Sequence, residues 1–339
     1  MIATTTGSKM KAILCARPGP VSRLQVTEID RPALTDDGVL VRVHASSANP
    51  VDLFPTSVAG YLAGGRKAQV LGTDFAGTVE AVGKDVRGFR SGDEVFGGQS
   101  GAFAELLAAT EGGAMARKPP GVSFELAGTV AVAATTALQA LRDHGGFQSG
   151  QRVLVNGASG GVGTFAVQIA CALGAEVTAV CSTRNIEMAR ALGAAAVIDY
   201  TQEDFTRGTQ RHDLILDIAG SRSLSACRRV LTDTGTFVGV GAAALQHRRA
   251  GMIRAMGHFL GSRVSGMLGR QKVVVLFIAK LNKADLELLG DLIAAGKVVP
   301  AIDRRYDLAH TSDALQYTNE GHARAKVAIR VGPDAASNR

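Results

Sequence analysis

The sequence predicts an α/β protein: a small, irregular all-β barrel followed by a doubly wound, parallel six-stranded sheet. Three observations carry this. The chain has 339 residues and is 46% hydrophobic, enough for two packed cores. Its texture changes near residue 130, from short β-rich runs broken by Gly, Pro and Asp to apolar runs that alternate with helical patterns. Within the second part, GASGGVG at 157–163 sets four glycines between a strand-like run and a long apolar helix pattern.

The elements follow in order. MIATTTGSK has no apolar core followed by a cleavage site and is expected to be a disordered lead. KAILCA, VLVRVHAS, FAGTVEAVG and DEVFG then have the length and spacing of barrel strands. RVLVNGA, EVTAVCS, AVIDY, DLILDIA, TFVGVGA and VVVLFIA are six apolar runs, most of them separated by helical patterns such as FAVQIACALG and NIEMARALG. Continuous apolar strands between helices imply a parallel sheet covered on both faces. After Lys280 the helix ADLELLGDLIAAG leads into short strands and another helix, so the C-terminus is expected to return to the first domain.

Composition excludes several classes. Cys15, Cys171, Cys181 and Cys227 lie far apart with no CxxC pair, and read as reduced thiols of an intracellular, cytoplasmic protein. No apolar run reaches membrane-spanning length. The net charge of +7 is concentrated: residues 242–272 hold Arg248, Arg249, Arg254, Arg263, Arg270 and Lys272 against no Asp or Glu. A generic polyanion binder spreads its cations over a face of the fold, so no specific nucleic-acid partner is expected.

The glycines follow the first strand of the alternating region and open its first helix. A dinucleotide pyrophosphate sits at that place, against the helix N-terminus. The strict GxGxxG pattern is met at Gly160 and Gly163 but not at Ala158, and Ser159, Gly160, Gly161 and Val162 become the candidate phosphate contacts. At the end of the next strand an NAD site carries an acid for the ribose 2′-hydroxyl. Here Cys181 stands near that position, followed by Ser182, Thr183 and Arg184, which points to NADPH; the alternative is that Arg184 caps a solvated loop.

With these residues on view, the chain resembles the medium-chain dehydrogenase/reductases, in their zinc-free quinone oxidoreductase-like branch. The resemblance rests on ASSANPVDL (45–53), VLGTDFAGTVEAVG (70–83), SGDEVFG (91–97), GAFAEL (101–106), TTALQAL (135–141), GASGGVG (157–163), CSTRNIEMARALGAAAVIDY (181–200) and GHARAKVAIRV (321–331). It implies a GroES-like catalytic domain from residues 1–129 and 277–339, a Rossmann NADP-binding domain from 130–276, and an active-site cleft where they meet. Zinc-dependent relatives carry a Gly-His-Glu motif and a nearby Cys. The matching positions here are Gly72, Thr73 and Asp74, with no Cys in NPVDL, and His44, Asp52 and Asp74 make a poor zinc set, so no metal is expected.

What the resemblance implies is hydride transfer from NADPH to a quinone or an α,β-unsaturated carbonyl. By that resemblance Asn49 and Thr136 lie against the nicotinamide ribose or ring, and the backbone at Val240 and Gly241 meets the carboxamide. Ser182, Arg184 and Tyr200 face the 2′-phosphate, and Lys326 stands near the pyrophosphate, preceded by Ala325 where Gly is usual. Tyr61 and Asn49 are the catalytic candidates; Tyr61 either donates a hydrogen bond to the acceptor or packs the pocket wall. The basic segment reads two ways: an amphipathic helix resting on anionic lipid, or an insertion covering the cleft or a dimer contact. A second function class stays open with it, a nucleotide-binding protein of little activity acting through membrane or RNA. A homodimer paired along the apolar edge strand VVVLFIA is expected.

Overall fold

The structure, a computed structural model, describes residues 9–240, 270–321 and 323–332. Residues 1–8 of the expected disordered lead, Gly241 and all of the basic segment up to residue 269 lie outside the described residues, while Lys9, the last residue of that lead, is already in a strand. Of the described residues, one unit takes those up to Val132, Leu281–Ala294 and those from Ile302 onward. The other takes Ala133–Lys280 and Ala295–Ala301.

The first unit begins with β1 (Lys9–Cys15), β2 (Val26–Asp30), β3 (Gly38–Ala48), β4 (Gln69–Val70), β5 (Asp74–Val82), β6 (Glu94–Gly98), β7 (Leu106–Thr110) and β8 (Met115–Arg117). β3 is the spine, pairing antiparallel with both β5 and β7. Its alternation sends Val39, Val41 and Val43 into a core with Phe75, Val79, Val95, Leu107 and Met115, all buried. A short helix, α1 (Val58–Ala63), follows β3 and is capped by Ser57, whose Oγ accepts from the Gly60 amide at 3.0 Å. α2 (Phe124–Ala127) and the first two residues of α3 (Ala131–Gln139) end this part of the chain.

The second unit holds the six expected apolar runs as β9 (Arg152–Asn156), β10 (Glu176–Cys181), β11 (Ala196–Asp199), β12 (His212–Asp217), β13 (Leu231–Val240) and β14 (Lys272–Phe277). They form one parallel sheet in the order β11-β10-β9-β12-β13-β14. The sequence-order reversal between β9 and β12 is the switch point at which such sheets bind ligands, beyond the strand C-termini. α4 (Gly161–Ala172) is buried from Gly163 through Ala170, which is why its sequence is apolar all round rather than on one stripe. Gln168 on α4 holds the segment 295–301 to this unit, donating to the Val299 carbonyl at 3.1 Å and accepting from its amide at 2.8 Å. Burial raises all four thiols, Cys227 to about 12, so they pack as small hydrophobes.

The chain then returns to the first unit with β15 (Ile302–Asp307) and β16 (Lys326–Arg330). β15 pairs parallel with β16, and β16 pairs antiparallel with β3. The registers set Ser47 opposite Asp74 and Ala48 opposite Val327. Antiparallel pairing therefore brings the C-terminal end of β3 beside the first residues of β5 and β16, which are Asp74 and Lys326.

His212, the first residue of β12, is buried, and desolvation holds its imidazole down at about 4, with Arg152 adding to the effect. The folded state keeps it neutral while the unfolded chain protonates it at about 6.5. Its contribution is therefore full above that value and is lost as pH falls toward 4. Between pH 7 and pH 5 the wild type is expected to lose about 2 kcal/mol more stability than His212→Leu, read by denaturant unfolding at each pH. Parallel pH profiles for the two proteins would remove His212 as the cause.

Candidate active site

In the second unit the glycine turn runs from Gly157 to the start of α4. Gly160 is the N-cap of α4, with no side-chain cap on the first amides of the helix. A Cβ built on Gly163 would lie 2.1 Å from the Gly157 carbonyl oxygen, so only glycine lets the helix start so close to the strand. One built on Gly160 meets only that same oxygen, at 3.7 Å; its remaining surroundings are open. Ser159, Gly160, Gly161 and Val162 are half-buried around these amides. An uncapped helix N-terminus with an open approach fits a phosphate.

Parallel pairing sets the ends of β10 and β11 on the same side of the sheet, with Cys181 opposite Asp199. There Ser182 and Thr183 begin a 3-10 turn, Arg184 is exposed, and Tyr200, just past β11, is exposed as well. Asp199 was not singled out from the sequence. Its carboxylate accepts from Thr183 Oγ1 at 2.5 Å and from the Thr201 hydroxyl and amide at 2.7 and 2.9 Å, bonds that hold it below the usual carboxylate range. Val240 ends β13 on the same side. Asn156 and Asp217, also unforeseen, tie β9 to β12 at the switch point: Asn156 Nδ2 donates to Asp217 Oδ1 at 2.7 Å, and that oxygen accepts the Gly220 amide at 2.9 Å. Thr136 is nearly buried on α3.

In the first unit the strand registers gather a buried polar cluster. Asn49 follows β3 directly; its Nδ2 donates to the Ser47 carbonyl at 3.1 Å and to Asp74 Oδ2 at 3.0 Å. Lys326 Nζ donates to Asn49 Oδ1 at 2.5 Å and to Asp74 Oδ2 at 3.2 Å. Asp74 also accepts from Ser47 Oγ at 2.6 Å and from the Val132 amide at 2.7 Å. Asp52, three residues past Asn49, accepts the Asn49 amide at 2.8 Å on Oδ2 and the Thr73 hydroxyl at 2.7 Å on Oδ1. Burial pushes the Asp52 carboxyl up to about 7, with repulsion from Asp74 in the same direction and Thr73 and Lys326 against it.

This arrangement refines two expectations. Lys326 is 2% exposed, its ammonium turned into the barrel onto Asn49 and Asp74. Asn49 spends both amide hydrogens inside the cluster, and its Oδ1 accepts from Lys326. Ala325 takes φ 65°, the left-handed conformation that favours Gly; a side chain held so costs about 1–2 kcal/mol. Tyr61 is half-buried on α1, and Phe54 is exposed. His44 packs its ring 4.5 Å from that of Phe124 and shares a 3.0 Å hydrogen bond with Thr78, as a strand residue.

Residues 35–120 match the alcohol dehydrogenase GroES-like domain, and residues 192–329 match the family described as zinc-binding dehydrogenase. Mouse NAD(P)H oxidoreductase RTN4IP1, a mitochondrial protein by name, is 33% identical over 325 residues, spanning 86% of this chain and 81% of its own. The trans-enoyl reductase pgmF of Aspergillus terreus is 32% identical over 361 residues, spanning 97% and 98%. The solved quinone oxidoreductase from Coxiella burnetii has a TM-score of 0.81 at 28% identity, covering 96% of this chain and 100% of that one.

The chain belongs to the medium-chain dehydrogenase/reductase superfamily, in its quinone oxidoreductase-like branch. As a member of that superfamily it is an NAD(P)H oxidoreductase with a GroES-like domain and a Rossmann sheet. Among the described residues no group of three or more His, Cys, Asp or Glu side chains is arranged to hold a metal ion, and no helix is long and apolar enough to cross a membrane.

Proposed function

We propose that this medium-chain reductase transfers hydride from NADPH to a quinone or an α,β-unsaturated carbonyl without a metal ion. The observation that carries the reading is the Lys326 ammonium seated on Asn49 and on Asp74, the residue that matches the Glu of the Gly-His-Glu motif in zinc-dependent relatives. A protonated amine there satisfies the donors that a cation would otherwise draw on. Alcohol oxidation loses its electrophile in such a site, whereas a quinone or enone accepts hydride when held in contact with the donor. Relatives named quinone oxidoreductase and trans-enoyl reductase support the same two acceptor classes.

The bound cofactor supplies the hydride. Gly160, Gly161 and the α4 amides would hold its pyrophosphate, Asn49 and Thr136 its nicotinamide end, and Val240 with Gly241 the carboxamide. Ser182, Thr183, Arg184 and Tyr200 would meet the 2′-phosphate. Asp199, the nearby acid, already accepts three hydrogen bonds from Thr183 and Thr201, which competes with a ribose hydroxyl for it. The chain would act as a homodimer joined along β14, the edge strand of the sheet. The membrane- or RNA-binding alternative rests on the basic segment, most of which lies outside the described residues.

The test is NADPH and NADH oxidation by chelator-treated protein, with an ortho-quinone and an enone in parallel, for the wild type and Arg184→Ala. Chelation is expected to leave turnover intact. The variant is expected to raise KM for NADPH about 10–100-fold, the worth of one charge-assisted phosphate contact, with KM for NADH unchanged. Loss of turnover on chelation, or a wild type that prefers NADH, overturns the reading.

A further inference from the structure

Reduction of a quinone or enone requires a proton as well as a hydride, because hydride transfer leaves a negative oxygen on the acceptor. The buried cluster of the first unit contains two carboxyl groups and one ammonium. Asp74 takes the ammonium, at 3.2 Å from Lys326, together with donors from Ser47, Asn49 and Val132. Asp52 is buried as well, but among the described residues the only side chain donating to it is the Thr73 hydroxyl. A buried carboxyl without a cation of its own favours its neutral form.

The geometry assigns the proton to one oxygen. Asp52 Oδ2 accepts the Asn49 amide, which can only donate, so a proton on the carboxyl resides on Oδ1; its neighbour at 2.7 Å is Thr73 Oγ1, a hydroxyl that donates to the carboxylate and turns to accept from the protonated acid. Ser46, Ser47, Asn49, Asp52, Asp74 and Lys326 are all buried, whereas Thr73 is half-exposed at the start of β5. The acid therefore communicates with its exterior through a single hydroxyl.

We infer that Asp52 and Thr73 form the proton-delivery pair of this reductase, Asp52 storing the proton and Thr73 handing it to the acceptor oxygen. The inference rests on the reductase reading above. In the step, the acceptor gains two electrons and a proton as hydride from the reduced nicotinamide. The Thr73 O–H bond breaks toward the acceptor oxygen as the Asp52 O–H proton moves to Thr73 Oγ1. A quinone becomes hydroquinone, and an enone becomes an enol that tautomerises in water. Asp52 is left as carboxylate, steadied by Lys326, and regains a proton from solvent through the same hydroxyl after product leaves. The charged groups facing Asp52 are Asp74 and Lys326, which act in opposite directions and leave burial as the main cause of its raised carboxyl.

Two measurements test this on the full chain. Steady-state kinetics with NADPH and an ortho-quinone in H2O and D2O would compare the wild type with Asp52→Asn, Thr73→Val and Thr73→Ser. The wild-type kcat is expected to fall above about pH 7 with a solvent isotope effect. Asp52→Asn and Thr73→Val should lower kcat about 100-fold or more, lose both the pH break and the isotope effect, and keep KM for NADPH within about twofold. Thr73→Ser should restore all three. Variants that retain the break and the isotope effect, or a serine no better than valine, overturn the pair while the wild-type turnover still supports the reductase. The second measurement needs no turnover: 13C NMR of aspartate-labelled protein, with Asp52→Asn for assignment, should show a carboxyl titrating near neutrality that shifts in Thr73→Val. Titration of Asp52 in the ordinary carboxylate range overturns the proposal by itself.

Discussion

Gly160→Ala is expected to fold like the wild type and to bind NADPH about 100-fold more weakly, whereas Gly163→Ala is expected to lose about 3 kcal/mol of stability. The two glycines sit three residues apart in one turn, yet different neighbours explain them. At Gly160 φ is −83° and ψ 178°, an extended conformation any residue adopts, and the added methyl points into open space. Its cost to the fold is small, offset by reduced freedom of the unfolded chain. The same open space is the approach to the α4 amides, so a methyl there keeps a phosphate from its charge-assisted donors; a 100-fold loss is about 2.7 kcal/mol. At Gly163 the methyl meets backbone at 2.1 Å from the Gly157 oxygen and 2.8 Å from Ala158, atoms that no rotamer change can clear. Strand and helix must part, a cost in the range of severe overpacking. Denaturant unfolding and NADPH fluorescence titration of both variants separate the effects. Unchanged NADPH affinity in Gly160→Ala would mean that the pyrophosphate lies elsewhere.

The glycine turn was legible because everything that explains it is local: strand, turn and helix lie within 25 residues, and the periodicity of each is written in hydrophobic side chains. The sheet strands were legible for the same reason: β9, β10 and β12 are apolar runs buried over nearly their whole length. The barrel cluster was not. Asn49 and Lys326 are 277 positions apart and meet because β3 pairs with β16 in one register. No window of sequence contains that fact. Resemblance set Lys326 beside a pyrophosphate, while its ammonium is hydrogen-bonded inside the barrel. Asp52 and Asp74 were weighed only as members of a poor metal set, because composition records two carboxyls without saying which one the cation joins. Asp199 likewise escaped notice: its partner Thr183 stands 16 residues away on the neighbouring strand end.

The second large effect follows from that cation. Lys326→Met leaves the fully buried Asp74 carboxylate without a counter-charge, and removing one partner of a buried pair costs about 3–5 kcal/mol. Asp74→Asn is expected to cost as much, since its new amide would face the donors of Ser47, Asn49 and Lys326 while the ammonium stays buried. The double variant should recover about 2 kcal/mol of the summed loss. With Lys326 and the Asp74 charge both gone, the cluster is uncharged, and the Asn49 amide still donates to the Ser47 carbonyl and to the side-chain oxygen at position 74. The Asn49 oxygen, however, has lost the ammonium that oriented it. Stability and activity should therefore part company: the double variant unfolds later than either single variant yet stays as slow in NADPH turnover as the worse of them. Strict additivity of the two stability losses would show that the pair is not coupled, and recovery of turnover along with stability would show that Lys326 serves the fold alone and does not orient Asn49.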